Sequence, residues 1–74
     1  MYTLYDFLKK FNYDNFNIVN RNGKYNIVSR KIDFDDVKMA IEYGDTEEDK
    51  LIETVSEKAV LKVDFEQMNI YVED

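Results

Sequence analysis

The chain of 74 residues has no cysteine, histidine, proline or tryptophan, and only two glycines. Without cysteine there can be no disulfide, which is typical of a reducing compartment. Without histidine and cysteine, the chain lacks the commonest general base, the thiolate nucleophile and most zinc ligands. We therefore expect a protein that is not an enzyme and that needs no metal or other cofactor.

Long apolar runs are also missing. No stretch approaches the roughly 18 residues that would cross a membrane, and no basic segment precedes a short apolar one as in a signal peptide. We expect no membrane contact and a cytoplasmic location in a bacterial host cell. The length predicts a single compact domain, 1–74, with a thin core that eleven aromatic side chains help to fill.

Charge is unevenly distributed along the chain. The net charge is −6, but residues 1–32 carry six basic and two acidic groups, whereas residues 33–74 carry fourteen acids and four lysines. This split predicts either an electrostatic partner or self-association of oppositely charged segments.

The clearest local pattern is a β-hairpin over residues 60–65 and 68–73. Apolar and polar residues alternate in both halves, and the phase of the alternation reverses at Glu66–Gln67. Because side chains alternate between the two faces of a strand, one face of this hairpin is apolar. The predicted cross-strand pairs are Leu61 with Val72, Val63 with Ile70, and Phe65 with Met68.

A second hairpin is predicted over residues 16–29. The dipeptide Asn22-Gly23 suits a two-residue type I′ turn, in which both central residues have positive φ. In this register Asn20 faces Tyr25 and Ile18 faces Ile27, while Val19 and Val28 lie on the solvent side.

The sequence pattern predicts two amphipathic helices. Residues 2–11 begin with Thr3 as the N-cap, and Tyr2 before the cap is placed to pack on Phe7 after it. Residues 46–58 begin with Thr46 as the N-cap, followed by acidic residues that suit the positive end of the helix dipole.

Residues 33–44 fit two structures. A helix would start at Asp33 and stop at Gly44, but a strand explains the unbroken alternation of Val37, Met39, Ile41 and Tyr43, so we favour the strand. The predicted fold is therefore α+β, with the order α-β-β-β-α-β-β. It has a mainly antiparallel sheet of four to five strands, with two short helices on one face.

The hydrophobic pattern also predicts which side chains form the core. The predicted core residues are Leu4, Phe7, Leu8, Phe11, Phe16, Ile18, Ile27, Ile41, Leu51, Ile52, Val55, Leu61, Val63, Phe65, Ile70 and Val72.

Motifs that would carry chemistry are weak. Residues 45–49 resemble the start of a calcium loop, but Lys50 stands where glycine is needed and Ser56 where glutamate is needed. The basic residues of the first third suggest nucleic-acid contact, but the larger negative charge of the remaining chain would repel a polyanion. We therefore expect no metal site and no direct contact with nucleic acid.

The acidic residues form the strongest candidate site. Asp49, Glu53 and Glu57 recur every four residues and so form one row on a helix, where like charges cost stability. Such a row either solubilises the helix or serves as an anionic docking surface. The predicted partner-binding residues are Asp33, Asp35, Asp36, Asp45, Glu47, Glu48, Asp49, Glu53 and Glu57.

These acids, with the abundance of asparagine and tyrosine, give the chain a resemblance to small inhibitors from phages and mobile elements, anti-CRISPR proteins among them. The resemblance is one of composition and carries over no individual residue. It implies a non-enzymatic acidic protein that inhibits a basic, nucleic-acid-binding protein such as a nuclease by mimicking nucleic acid. The alternative is a self-associating structural or adaptor module of a phage or mobile element, for example a homodimer.

Overall fold

Three helices and a three-stranded mixed sheet make up the fold, as described for every residue from Met1 to Asp74 by a computed structural model. The elements are α1 (Leu4–Lys10), β1 (Asn17–Val19), α2 (Phe34–Tyr43), α3 (Glu47–Ser56), β2 (Val60–Asp64) and β3 (Asn69–Val72). The chain is α+β, but the predicted antiparallel sheet of four to five strands with only two helices is wrong.

Helix α2 occupies the segment for which the alternating pattern predicts a strand, so that prediction is wrong. Asp33 is its N-cap, and a reciprocal capping box with Asp36 satisfies two backbone N–H groups at the helix start. Val37 and Ala40 are buried at helical spacing, whereas Met39 and Tyr43 are exposed. The alternation of apolar residues was therefore accidental, and the capping residues were the informative signal.

The other two helices form where they were predicted. Thr3 and Asp6 make a capping box at the start of α1, and the rings of Tyr2 and Phe7 pack edge to face with centroids 6.4 Å apart. Thr46 is the N-cap of α3.

The hairpin of β2 and β3 has the predicted register at its centre. Val63 lies opposite Ile70, but a bulge between Val60 and Lys62 places Val60, not Leu61, opposite Val72. Leu61 is therefore 47% exposed. The turn spans residues 65–68, so Phe65 and Met68 are not a strand pair. The Asp64 carboxylate holds this turn by accepting the N–H groups of residues 66 and 67.

β1 pairs with β3 in parallel, an arrangement that the sequence did not predict. The strand order is β1-β3-β2, so β3 occupies the middle of the sheet. Asn17 lies opposite Asn69, and the Asn17 side-chain amide donates a hydrogen bond of 3.0 Å to the side-chain oxygen of Asn69.

The predicted second hairpin has the right register but only one strand. Val19 bridges Asn26, and the N–H of Ile27 donates to the carbonyl of Ile18 at 2.7 Å. The turn is not type I′, because only Gly23 has positive φ (71°), and the Asn20 side chain accepts the N–H groups of residues 24 and 25. Residues 27–30 form a bend instead of a second strand, and the chain returns at Ile32, which exchanges two backbone hydrogen bonds of 2.9 Å with Phe16.

Thirteen buried apolar side chains form the core between the helices and the sheet. Four of them, Val28, Ile32, Val37 and Ala40, were not in the predicted core, and the prediction that Val19 and Val28 lie on the solvent side is wrong because both are buried. Four predicted core residues, Ile41, Leu51, Leu61 and Phe65, are instead 40–53% exposed. The radius of gyration is 11.0 Å. None of the three helices has the length and apolar character needed to cross a membrane.

Candidate acidic interface

Helices α2 and α3 concentrate the negative charge of the protein. Residues 33–57 contain ten acids and only two lysines, and the short connection of residues 44–46 keeps the two helices adjacent. The nine predicted acids fall into two groups. Some cap helix starts or pair with Arg30, and the others are exposed without a basic partner.

Three of the predicted acids have structural roles at helix starts. Asp33 and Asp36 accept each other's backbone N–H at 3.0 and 2.9 Å, and the Asp49 carboxylate accepts the N–H of Thr46 at 3.4 Å. Each of these carboxylates satisfies a helix-start or N-cap N–H that would otherwise lack a partner. Their sequence position is thus explained without a binding partner.

Arg30 joins the two acidic segments. Its guanidinium contacts Asp36 at 3.3 Å and Glu48 at 3.0 Å, and these are the only ion pairs in the structure. The hydrogen bond to Glu48 is the largest cause that raises the pKa of Arg30; desolvation opposes the rise, and the charge of Asp36 adds to it. Arg30 therefore brings Asp36 and Glu48 together and partly neutralises them.

The remaining predicted acids are exposed and have no basic partner within 4 Å. We call them the acidic surface: Asp35, Asp45, Glu47, Glu53 and Glu57. The predicted row is broken, because Asp49 is half-buried in its capping box while Glu53 and Glu57 stay free. Glu42 of α2 is also exposed, and sequence reasoning missed it because that segment was read as a strand.

Apolar side chains are exposed on the same two helices. Met39, Ile41 and Tyr43 of α2 are 46–66% exposed, and Leu51 of α3 is 40% exposed. Ile41 and Leu51 were predicted core residues, and that prediction is wrong. Methionine and aromatic residues are enriched at the centres of protein-binding surfaces, and polar residues surround them at the rim.

A cleft of about 350 Å³ lies where α1 meets α2 and α3. Its lining residues are Thr3, Tyr5, Ile41, Glu53, Ser56 and Glu57. Two members of the acidic surface thus lie beside a concave, partly apolar space. No pattern in the sequence indicates this cleft, because its residues come from three separate segments.

The structure contains no group of three or more acidic residues arranged to hold a metal ion. Comparison with known proteins found no matching family, no matching characterised protein and no matching solved structure.

Proposed function

We propose that this chain is a non-enzymatic binding protein that docks α2 and α3 on a basic, nucleic-acid-binding protein and inhibits it. The observation that carries this proposal is the uncompensated acidic surface. Its five exposed carboxylates have no cationic group of the protein within 4 Å, so a basic partner can pair with them without displacing an existing ion pair. As a mimic, the acidic surface would occupy the place of nucleic-acid phosphates on the partner.

The exposed apolar residues favour a protein as the partner. Met39, Tyr43 and Leu51 would be removed from water if they packed against apolar side chains of a partner. Their burial would add affinity that charge alone does not supply. The carboxylates would make association fast and sensitive to salt, whereas the apolar contacts would slow dissociation.

A charge reversal tests the proposal. The test variant is Glu47→Lys/Glu53→Lys/Glu57→Lys, which leaves the capping residue Asp49 in place so that α3 still starts correctly. The matched control is Glu66→Lys/Glu73→Lys/Asp74→Lys, which changes the net charge equally at exposed acids outside α2 and α3. The partner is captured from the bacterial host, identified and purified, and its affinity for all three forms is measured at low and high salt.

We expect the test variant to lose binding and the control to retain most of it. Binding of the parent should weaken with salt and should compete with the nucleic acid of the partner. Equal binding by test variant and parent, with both folded by circular dichroism, would refute the proposal and leave the acids as a solubilising surface.

A further inference from the structure

The cleft between α1, α2 and α3 has walls of mixed character. Ile41 and the ring of Tyr5 are its apolar side chains, and Tyr5 is held in place by edge-to-face packing on Phe34 with centroids 5.3 Å apart. Glu53 and Glu57 lie one helical turn apart, about 6 Å along the axis, and both are exposed. The cleft therefore offers apolar contact next to two negative charges.

The hydrogen-bonding groups of the cleft are almost all acceptors. The Ser56 hydroxyl already donates its proton to the Glu53 carbonyl at 2.6 Å, and the Thr3 hydroxyl donates to the Asp6 carboxylate at 3.0 Å. A hydroxyl that has donated its proton offers only lone pairs to a further partner, and carboxylates accept without donating. No lysine or arginine lines the cleft.

We infer that this cleft binds a single cationic side chain, a lysine or an arginine, from the basic partner. The aliphatic stem of that side chain would lie against Ile41 and Tyr5, and its charged end would donate hydrogen bonds to Glu53 and Glu57. The inference rests on the proposed function and assigns to it one defined contact, whereas the rest of the acidic surface acts through its general field.

Short peptides test this contact without the natural partner. Each peptide is acetylated and amidated, and it carries one central residue between alanines: arginine, lysine, or the neutral isostere citrulline. Binding to the full chain is followed by amide chemical shifts at Thr3, Tyr5 and Ser56. We expect the arginine and lysine peptides to shift these amides and the citrulline peptide to bind at least about tenfold more weakly.

Two pairs of variants distinguish binding in the cleft from attraction by the negative charge of the rest of the acidic surface. Ile41→Trp fills the cleft without changing charge, and Met39→Trp is its control on an exposed position of the same helix outside the lining. Glu53→Gln removes a carboxylate of the cleft, and Glu47→Gln removes one elsewhere. We expect Ile41→Trp and Glu53→Gln to weaken the arginine peptide about tenfold, and both controls to stay within about twofold.

The outcomes distinguish this inference from the proposed function. Equal weakening by Glu53→Gln and Glu47→Gln would overturn the inference about the cleft, and so would a citrulline peptide that binds as well as the arginine peptide. Either result would leave the acidic surface as the docking site. Absence of peptide binding, while the triple reversal still abolishes binding of the host partner, would likewise overturn only the cleft. If the reversal also has no effect on that partner, both proposals fail.

Discussion

The carboxylate of Asp33 accepts the backbone N–H of Asp36, and the carboxylate of Asp36 accepts the N–H of Asp33. Asp33→Ala removes one side of this exchange and leaves the N–H of Asp36 unsatisfied. We expect it to lower the free energy of unfolding by about 0.5–2 kcal/mol, measured by urea denaturation. Asp35→Ala, between the two capping residues but exposed, is the control and should change stability by less than about 0.5 kcal/mol.

Arg30 supports the contact between the first turns of α2 and α3. Its side chain is 47% exposed, so water screens both ion pairs, and Arg30→Gln should cost only about 0.2–1 kcal/mol at low salt. The loss should shrink as salt is added, because screening weakens the pairs and also the repulsion between Asp36 and Glu48. The stability of Arg30→Lys should lie between that of the parent and that of Arg30→Gln, since an ammonium cannot hold both carboxylates in the same planar geometry. A loss that is independent of salt would contradict this account.

Ile70 and Leu61 provide a comparison within one sheet. Ile70 is fully buried on the central strand, so Ile70→Ala should cost about 2–5 kcal/mol. Leu61 is turned outward by the bulge in β2, so Leu61→Ala should cost less than about 1 kcal/mol. Thermal and urea denaturation measure both. If Leu61→Ala is as costly as Ile70→Ala, the unbulged register predicted from the sequence is the right one.

Gly44 ends α2 where the chain turns toward α3. A Cβ atom at this position would overlap the carbonyl oxygen of Ala40 and approach the Cβ of Asp49 to 3.0 Å. We expect Gly44→Ala to destabilise the protein by about 1–3 kcal/mol, the usual cost of overpacking, although its backbone angles suit any residue. Circular dichroism during denaturation measures the loss. An unchanged midpoint would show that the connection of residues 44–46 relaxes freely.

Local signals in the sequence predicted local structure well. Thr3 and Thr46 mark helix starts because a side-chain oxygen satisfies N–H groups a few residues away, an interaction that needs no other part of the fold. The register of β2 and β3 near Val63 also follows from neighbouring residues. Asp33 carried the same kind of signal, and it predicts the observed helix where the alternation from Val37 to Tyr43 wrongly predicts a strand.

Non-local structure could not be predicted in this way. The parallel pairing of Asn17 with Asn69 joins residues far apart in sequence, and no pattern within either segment indicates its partner. The arrangement of the candidate site could not be predicted for a related reason. Nothing near Arg30 in the sequence shows that it will reach Asp36 and Glu48, and the cleft exists only once three distant segments are packed together.

The position of β3 in the middle of the sheet determines the order in which the protein can fold. The contact of α2 with α3 and the β2–β3 hairpin involve neighbours in sequence and can form early, whereas β1 must wait for a strand about 50 residues further along the chain. Until residues 69–72 have been synthesised, both outer strands lack their hydrogen-bonding partner. A chain that ends before Asn69 therefore cannot form the sheet, and its unburied apolar side chains would be exposed to proteases and to aggregation.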